Sequence, residues 1–349
     1  MRRSTISDVA KLAGVSKSTV SHVINETRFV ETETKDRVLQ AIEELNYRPS
    51  KVAQSLTTNK TFTIGIIVSD ITNHYFGELI RSIENVLDAS NYSLIVCNTD
   101  EQLERERAYL ELLTSQQVDA IIAAATSQNW DELFVTQLKN IPVVFLDRTF
   151  DEFGDYAYAG ANNYAGVYEG TEHLIRQGFE RIGILAGFQR LSSMRERLQG
   201  YKDALTKYGI PIREDWIVYS ELSVEAGFNA ASQILSLDDR PTALLINNNF
   251  LSLGTLTCVK QLGLRVPQDV ALIGFDDHPW AAVSSPPLTV IRQPVGQLGK
   301  IAAEMALALV KNEPLAQQKV VLDCELLIRE SCGSHVNDHP LKQVACRKL

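Results

Sequence analysis

Residues Ile6 to Asn25 read ISDVAKLAGVSKSTVSHVIN, and this stretch decides how the rest of the chain is understood. Ile6, Val9, Ala10 and Ala13 recur at helical spacing and give a first helix one apolar face. Thr5 and Asp8 have the spacing of a capping box, with Asp in place of the more usual Glu or Gln. Gly14 marks a tight turn, and Ser16 stands where a second helix needs its N-cap. Val20, Val23 and Ile24 can then face the first helix, which leaves Lys17, Ser18, Thr19, Ser21 and His22 on or beside the outer face. Small polar residues at the front of a second helix are what a helix-turn-helix presents to base edges. A plain helical hairpin with a solvated face has the same spacing, so the surrounding chain has to discriminate.

The periodicity predicts a third helix over 33–45, with Thr32 as its cap and Val38, Leu39, Ile42 and Leu45 as its buried face. Three helices in so short a span can close a small core. The next stretch, NYRPSKVAQSLTTNK over 46–60, holds Pro49 as punctuation, Ser50 as a cap and about two helical turns over 51–56. A helix that short is marginal in water and needs a partner. From Phe62 the texture changes to alternating strands and helices. FTIGIIVS over 62–69 opens a first round, with strands over 92–98, 120–124 and 143–147 and helices over 75–88, 103–115, 133–138 and 162–177. RIGILA over 181–186 opens a second round, with strands over 216–219, 243–246 and 270–274 and helices over 195–208, 224–235 and 250–262. Two such rounds imply two doubly wound, mostly parallel sheets. A helix over 295–310 and a strand over 319–328 are too few for a third domain. They complete the first two, so the chain crosses between lobes more than once.

The expected fold is thus a small all-α helix-turn-helix head on an α/β core of two lobes. The divisions are 1–48 for the head, 49–61 for a short helix and linker, and 62–332 for the core. Lobe 1 takes 62–161 plus 293–320, and lobe 2 takes 162–292 plus 321–332. The polar tail 333–349 has no heptad pattern and reads as disordered.

The 349 residues suffice for large cores, and no run approaches the roughly 18 to 20 apolar residues of a membrane span. The N-terminus is basic but lacks the apolar stretch of a signal peptide, which places the protein in the cytoplasm, with no membrane partner. Cys97, Cys258, Cys324, Cys332 and Cys346 are scattered and odd in number, with no metal or redox spacing, so they read as reduced thiols. The net charge is −9, yet residues 1–60 carry +3 and the remainder −12. A mildly basic head on an acidic body suits a local nucleic-acid contact. No strand leads into a G-x-G-x-x-G, and no Walker sequence, Ser-His-Asp order or metal spacing is visible, so an enzyme is disfavoured and no cofactor is implied. A plain solute-binding protein would need an export signal and would lack the head.

The joint pattern resembles the lactose-repressor family of bacterial transcription regulators. The N-terminal part is Ile6-x-Asp-Val-Ala-x-x-Ala-Gly-Val-Ser-x-x-Thr-Val-Ser-x-Val-Ile-Asn25, followed by Leu45-Asn-Tyr-Arg-Pro-Ser50 and Ala53-x-Ser-Leu56. The core part includes Ile64-Gly-Ile-Ile-Val, Asn73-x-Tyr-Phe, Arg181-Ile-Gly, Arg197-x-x-Gly-Tyr, Leu262-Gly-Leu-x-Val-Pro-x-Asp-Val and Ile273-Gly-Phe-Asp-Asp277. Only about the last 20 residues fall outside the likeness. It implies a DNA-binding head, a hinge helix and a two-lobed core like the periplasmic sugar-binding proteins. The expected activity is that of a repressor: a homodimer on a near-palindromic double-stranded operator, controlled by a small effector in the inter-lobe cleft.

The same resemblance assigns roles. Ser18, Thr19 and His22 fall at positions that contact bases or nearby backbone, while Lys17, Ser16, Ser21 and Arg28 suit phosphates. Leu56 matches a leucine that wedges into the minor groove, with Ala53 one turn before it. Gln54 and Thr57 stand where some relatives carry basic residues, which weakens the hinge's phosphate contribution. Ligands of doubly wound sheets bind at the carboxyl ends of strands. Tyr75, Phe76, Asp147, Arg148, Ser193, Arg197, Asn248, Asp276 and Trp280 are the effector residues expected there, with Arg197 and Asp276 matching a recurrent Arg and Asp. Asn249 stands where Asp usually follows Asn248. The head is most similar to the purine-responsive members. Leu191 and Leu222, however, occupy places where those carry a base-recognising Arg and a stacking Phe. Asp147-Arg148 and the arginines of 190–197 look more like fructose- and sucrose-type members. The expected effector is a sugar, sugar acid or sugar phosphate.

Overall fold

The computed structural model describes residues 4–25, 28–47, 60–126, 138, 141–148 and 156–333. The hinge segment 51–56, nearly all of the helix expected over 133–138 and the tail 334–349 lie outside these residues. The chain divides into two compact units, 1–62 and 63–349, each taken here by itself. No helix among the described residues is long and apolar enough to cross a membrane.

In the first unit, α1 (Ile6–Ala13) starts on a complete capping box. The Thr5 amide donates to the Asp8 carboxylate at 2.8 Å, and the Asp8 amide returns to the Thr5 hydroxyl at 3.4 Å. Gly14 ends the helix at φ 66°, a left-handed conformation that glycine adopts without strain. Ser16 accepts from the Thr19 amide at 3.1 Å and so opens α2 (Lys17–Asn25). α3 (Thr32–Glu44) begins with Thr32 as its first residue, so Thr32 is not its cap; Glu31 takes that place without a side-chain bond. Val9, Ala10, Ala13, Val20, Val23, Val38 and Ala41 form the core. Leu39 is 47% exposed and does not join it. It lies about 100° around the helix from Val38, and Ala41 takes the inner position instead.

The second unit carries two six-stranded sheets. Sheet one holds β1 (Thr63–Val68), β2 (Ser93–Asn98), β3 (Ala120–Ala123), β4 (Val143–Leu146), β5 (Ala157–Ala161) and β11 (Lys319–Leu322), ordered β11-β5-β4-β3-β1-β2 and parallel throughout. Sheet two holds β6 (Ile182–Leu185), β7 (Ile217–Val218), β8 (Ala243–Ile246), β9 (Ala271–Phe275), β10 (Thr289–Arg292) and β12 (Glu325–Leu327), ordered β12-β10-β9-β8-β6-β7. Only β12 runs antiparallel. Both follow the doubly wound order in which the strand sequence reverses beside the first strand, which opens a crevice at the carboxyl edge. Sheet one is covered by α4 (His74–Ala89), α5 (Leu103–Ser115) and α11 (Val295–Val310); sheet two by α6 (Asn163–Arg176), α7 (Ser192–Lys207), α8 (Val224–Leu235) and α9 (Asn249–Gln261), with a short α10 (Pro279–Val283).

The chain crosses between the sheets after β5, after β10 and between β11 and β12. The single strand expected over 319–328 is therefore two strands, one in each sheet, and the crossing at residues 323 and 324 lies beyond the expected boundary at 320. AYAGA lacks the branched residues that signal a strand, yet it forms β5 and every residue of it is buried.

Glycine decides where α8 and α9 approach. A Cβ on Gly227 would lie 2.6 Å from the Cα of Leu251, and one on Gly254 would run into the Val224 carbonyl and the Phe228 amide. Backbone cannot yield as a side-chain tip can. Gly254→Ala is expected to lower stability by about 2 kcal/mol in urea unfolding. Gly77→Ala, at an exposed α4 position with nothing within 4 Å of the new methyl, is expected to raise it by about 1 kcal/mol.

Candidate functional site

The head offers one polar surface. Lys17 and Ser18 are exposed on α2, while Thr19, Ser21 and His22 are half-buried beside them. The Ser16 hydroxyl lies 2.7 Å from that of Ser18 and 2.9 Å from that of Thr19, so these groups already form a local network. Such hydroxyls can donate to or accept from base edges, and the lysine suits a phosphate. Arg28 is exposed in the loop after α2, next to Phe29, which is 93% exposed and was not singled out from sequence. Ala53 and Leu56 lie outside the described residues.

In the core, the carboxyl ends of the two sheets face each other across a cavity of about 580 Å³. Lobe 1 supplies Tyr75 and Phe76 from the first turn of α4, and Asp147 and Arg148 from the end of β4. Lobe 2 supplies Ser193 and Arg197 from α7, Asn248 from the start of α9, and Asp276 from the end of β9. Asp147 at φ 66° and Asp276 at φ 72° occupy equivalent left-handed turns after their strands. Asp tolerates that conformation better than most residues, and its use twice aims both carboxylates along the cleft rather than into the next helix.

Trp280 is not brought in. It sits on α10, packed half-buried against the lobe 2 core and stacked on His278 with ring centroids 5.4 Å apart. The expectation that it faces the effector is corrected: the short α10 turns it back onto its own lobe. Leu222 lines the cleft, whereas Leu191 is buried and absent from the lining.

The polar groups of the cleft are tied to one another. The Tyr75 hydroxyl donates to Asp147 at 2.9 Å. Burial and then the Asp147 charge raise the Tyr75 phenol well above its ordinary value, so it stays a neutral donor. Arg148 makes a two-pronged pair with Glu101 at 2.7 and 3.1 Å, and its Nε lies 3.4 Å from Asp147. Arg197 donates through Nε to Asn163 at 2.8 Å and through Nη1 to the Asn247 carbonyl at 2.5 Å, with its guanidinium 3.4 Å over the Phe275 ring. The Asp276 carboxylate accepts from Gln293 at 2.7 Å. Burial raises its pKa, opposed by Arg197 and by that hydrogen bond. Asn248 caps α9, accepting from Phe250 and Leu251 at 2.8 and 3.3 Å.

Sequence reasoning missed Glu101, Gln293 and Asn163. Glu101 lies at φ 58° in the turn before α5, and Gln293 on the crossing segment between β10 and α11. Glu101 follows an edge strand, and Gln293 follows β10, whose four residues were not expected to form a strand. The lining is acidic on balance, with Asp70, Asp100, Glu101, Asp147, Glu221 and Asp276 against Arg148, Arg190 and Arg197. Among the described residues no group of three or more His, Cys, Asp or Glu is placed to hold a metal.

Residues 5–50 match the family described as bacterial regulatory proteins, lacI family, and residues 171–332 match the periplasmic binding protein-like domain. The chain is 38% identical over 333 residues to the HTH-type transcriptional repressor PurR of Photobacterium profundum, covering 94% of this chain and 98% of that protein. It is also 38% identical over 330 residues to the protein of the same name from Serratia proteamaculans, covering 94% and 96%. Among solved structures, the lac repressor dimer bound to operator and the anti-inducer ONPF superposes with a TM-score of 0.85 at 29% identity over 95% of this chain and 99% of that one. The complex of the transcriptional regulator CelR with cellobiose gives 0.71 at 27% identity over 94% and 100%.

At the edge of the cleft the His74 and His278 rings lie 4.8 Å apart across the lobes. Burial, and then the neighbouring His74, lower the pKa of His278 from the usual 6.5, with Glu78 opposing. The folded state therefore takes up this proton less readily than the unfolded chain, and stability present above pH 6.5 falls as the solution is acidified below it. Proton NMR titration of the imidazoles is expected to place the His278 midpoint below that of a free histidine. His278→Gln is expected to flatten the loss of stability between about pH 7 and 5.

Proposed function

The chain belongs to the lacI family of bacterial regulatory proteins, and we propose that it works as a homodimer whose hold on a near-palindromic operator is set by a small hydroxyl-rich effector in the inter-lobe cleft. It is a DNA-binding transcriptional repressor of that family and a regulator rather than an enzyme. The observation that carries the effector reading is the cleft of about 580 Å³ in which Asp147, Asp276, Arg197 and Tyr75 converge from both lobes. Groups held by both lobes let a ligand favour one lobe arrangement over another, and only such a differential affinity can control a distant site.

The lining supports a neutral sugar over a sugar acid or sugar phosphate. Arg148 is already neutralised by Glu101 and Asp147, so an added anion meets mostly carboxylates. Carboxylate and amide acceptors suit the hydroxyl edges of a sugar, and Phe76, Phe188 and Phe250 add apolar character to the lining. Leu222 in the lining offers no flat face to a purine ring.

On the DNA side, Lys17, Ser18, Thr19, Ser21, His22 and Arg28 are the proposed contacts of the head, and Ala53 and Leu56 those of the hinge. A dimer doubles these contacts and gives the operator its two-fold symmetry.

Isothermal calorimetry of the full chain against neutral sugars, sugar acids, sugar phosphates and purines tests the effector. Binding to a neutral sugar is expected, and binding to purines alone sinks the reading. Asp276→Asn is expected to weaken that sugar at least about tenfold while leaving operator binding intact. With an operator selected from random duplexes, Lys17→Ala is expected to weaken all duplexes alike and to reduce the salt slope of binding by about 1. Thr19→Ala is expected to erode discrimination between duplexes instead.

A further inference from the structure

The first turns of α4 in lobe 1 and α9 in lobe 2 meet at the cleft edge. Asn73 caps α4, its Oδ1 accepting from the Tyr75 amide at 3.1 Å. Asn249, the first residue of α9, donates its Nδ2 to that same oxygen at 2.8 Å. Its own Oδ1 accepts from the Phe250 amide at 2.7 Å. Both asparagines are buried, at 7% and 3% exposure, so water does not compete freely for this bond. One residue further, His74 lies against His278 of the other lobe. This hydrogen bond thus joins the bodies of the two lobes directly, without passing through the crossing segments.

We propose that Asn249 is a positioning residue that clasps the lobes: its amide donor holds the cleft at its observed width, so that a ligand acts on a core tied at this seam. The chemistry requires a donor at 249. Asn73 cannot turn its own NH2 to the seam without withdrawing the oxygen that caps α4. A carboxylate at 249 would set acceptor against acceptor across the lobes. That same charge, placed on the first residue of α9, would favour the helix itself. The isosteric change from amide to carboxylate therefore separates the clasp from stability, since it cuts the first while keeping or raising the second. Nothing in this depends on the identity of the effector or the operator, so its failure leaves the regulatory reading standing.

Hydrogen–deuterium exchange of the ligand-free full chain, compared between wild type and Asn249→Asp, tests the clasp. The expected result is exchange about fivefold faster or more in the first turns of both α4 and α9, with the thermal midpoint unchanged or raised. Faster exchange in α9 alone, or no change in either helix, overturns the proposal. So does faster exchange throughout both sheets with a lowered midpoint, because Asn249 would then serve folding rather than lobe position. Asn249→Ser, which keeps a capping oxygen but is too short to span the seam, is expected to give the same two-helix pattern and stands in should the first variant not fold.

Discussion

Parallel strand pairing is the constraint on which the core depends. A parallel sheet needs helices on both faces, so its strands are buried throughout and carry almost nothing but apolar side chains. β3, β4, β8 and β9 are fully buried in this way. Polar chemistry is thereby pushed to the loops at the carboxyl edges, and the three crossings between sheets bring two such edges face to face. The cleft follows from this burial requirement rather than from any one motif.

Within the cleft the charges are paired with one another. A buried guanidinium or carboxylate is costly unless paired and hydrogen-bonded. Arg148 is matched by Glu101 and Asp147, Arg197 by two carbonyl oxygens, and Asp276 by Gln293. The network leaves an acidic remainder. It also ties the strand ends to a crossing segment, since Gln293 lies between β10 and α11. A ligand that engages Asp276 therefore touches a group already linked to the chain's passage between lobes.

The head follows a different logic, with a small core of mostly valine and alanine. Small residues let three short helices approach closely. The capping box at Thr5 and Asp8, the left-handed Gly14 and the Ser16 cap define the turn between α1 and α2 from local chemistry alone. The outer residues of α2 are then presented by a frame that spends no polar side chain of its recognition face on the core.

The amino-acid sequence by itself determined the head, the caps of its first two helices and most of the α/β order, because these rest on local spacing: a helix face repeats every three or four residues, and a buried strand is a short apolar run. It also pointed to Tyr75, Asp147, Asn248 and Asp276, which follow strands or open helices, and to Arg197, which matches a recurrent family position inside α7. What only the tertiary structure decided involves partners far apart in the chain. β5 is a strand because β4 and β11 flank it, not because AYAGA prefers one. The segment 319–328 splits because its two ends pair with different sheets. Glu101 enters the cleft through Arg148, 47 residues away, Asn249 meets Asn73 across 176 residues, and Trp280 turns away because α10 packs it on its own lobe. Local spacing carries no information about such pairings, which arise only when both sheets are closed and the lobes are brought edge to edge.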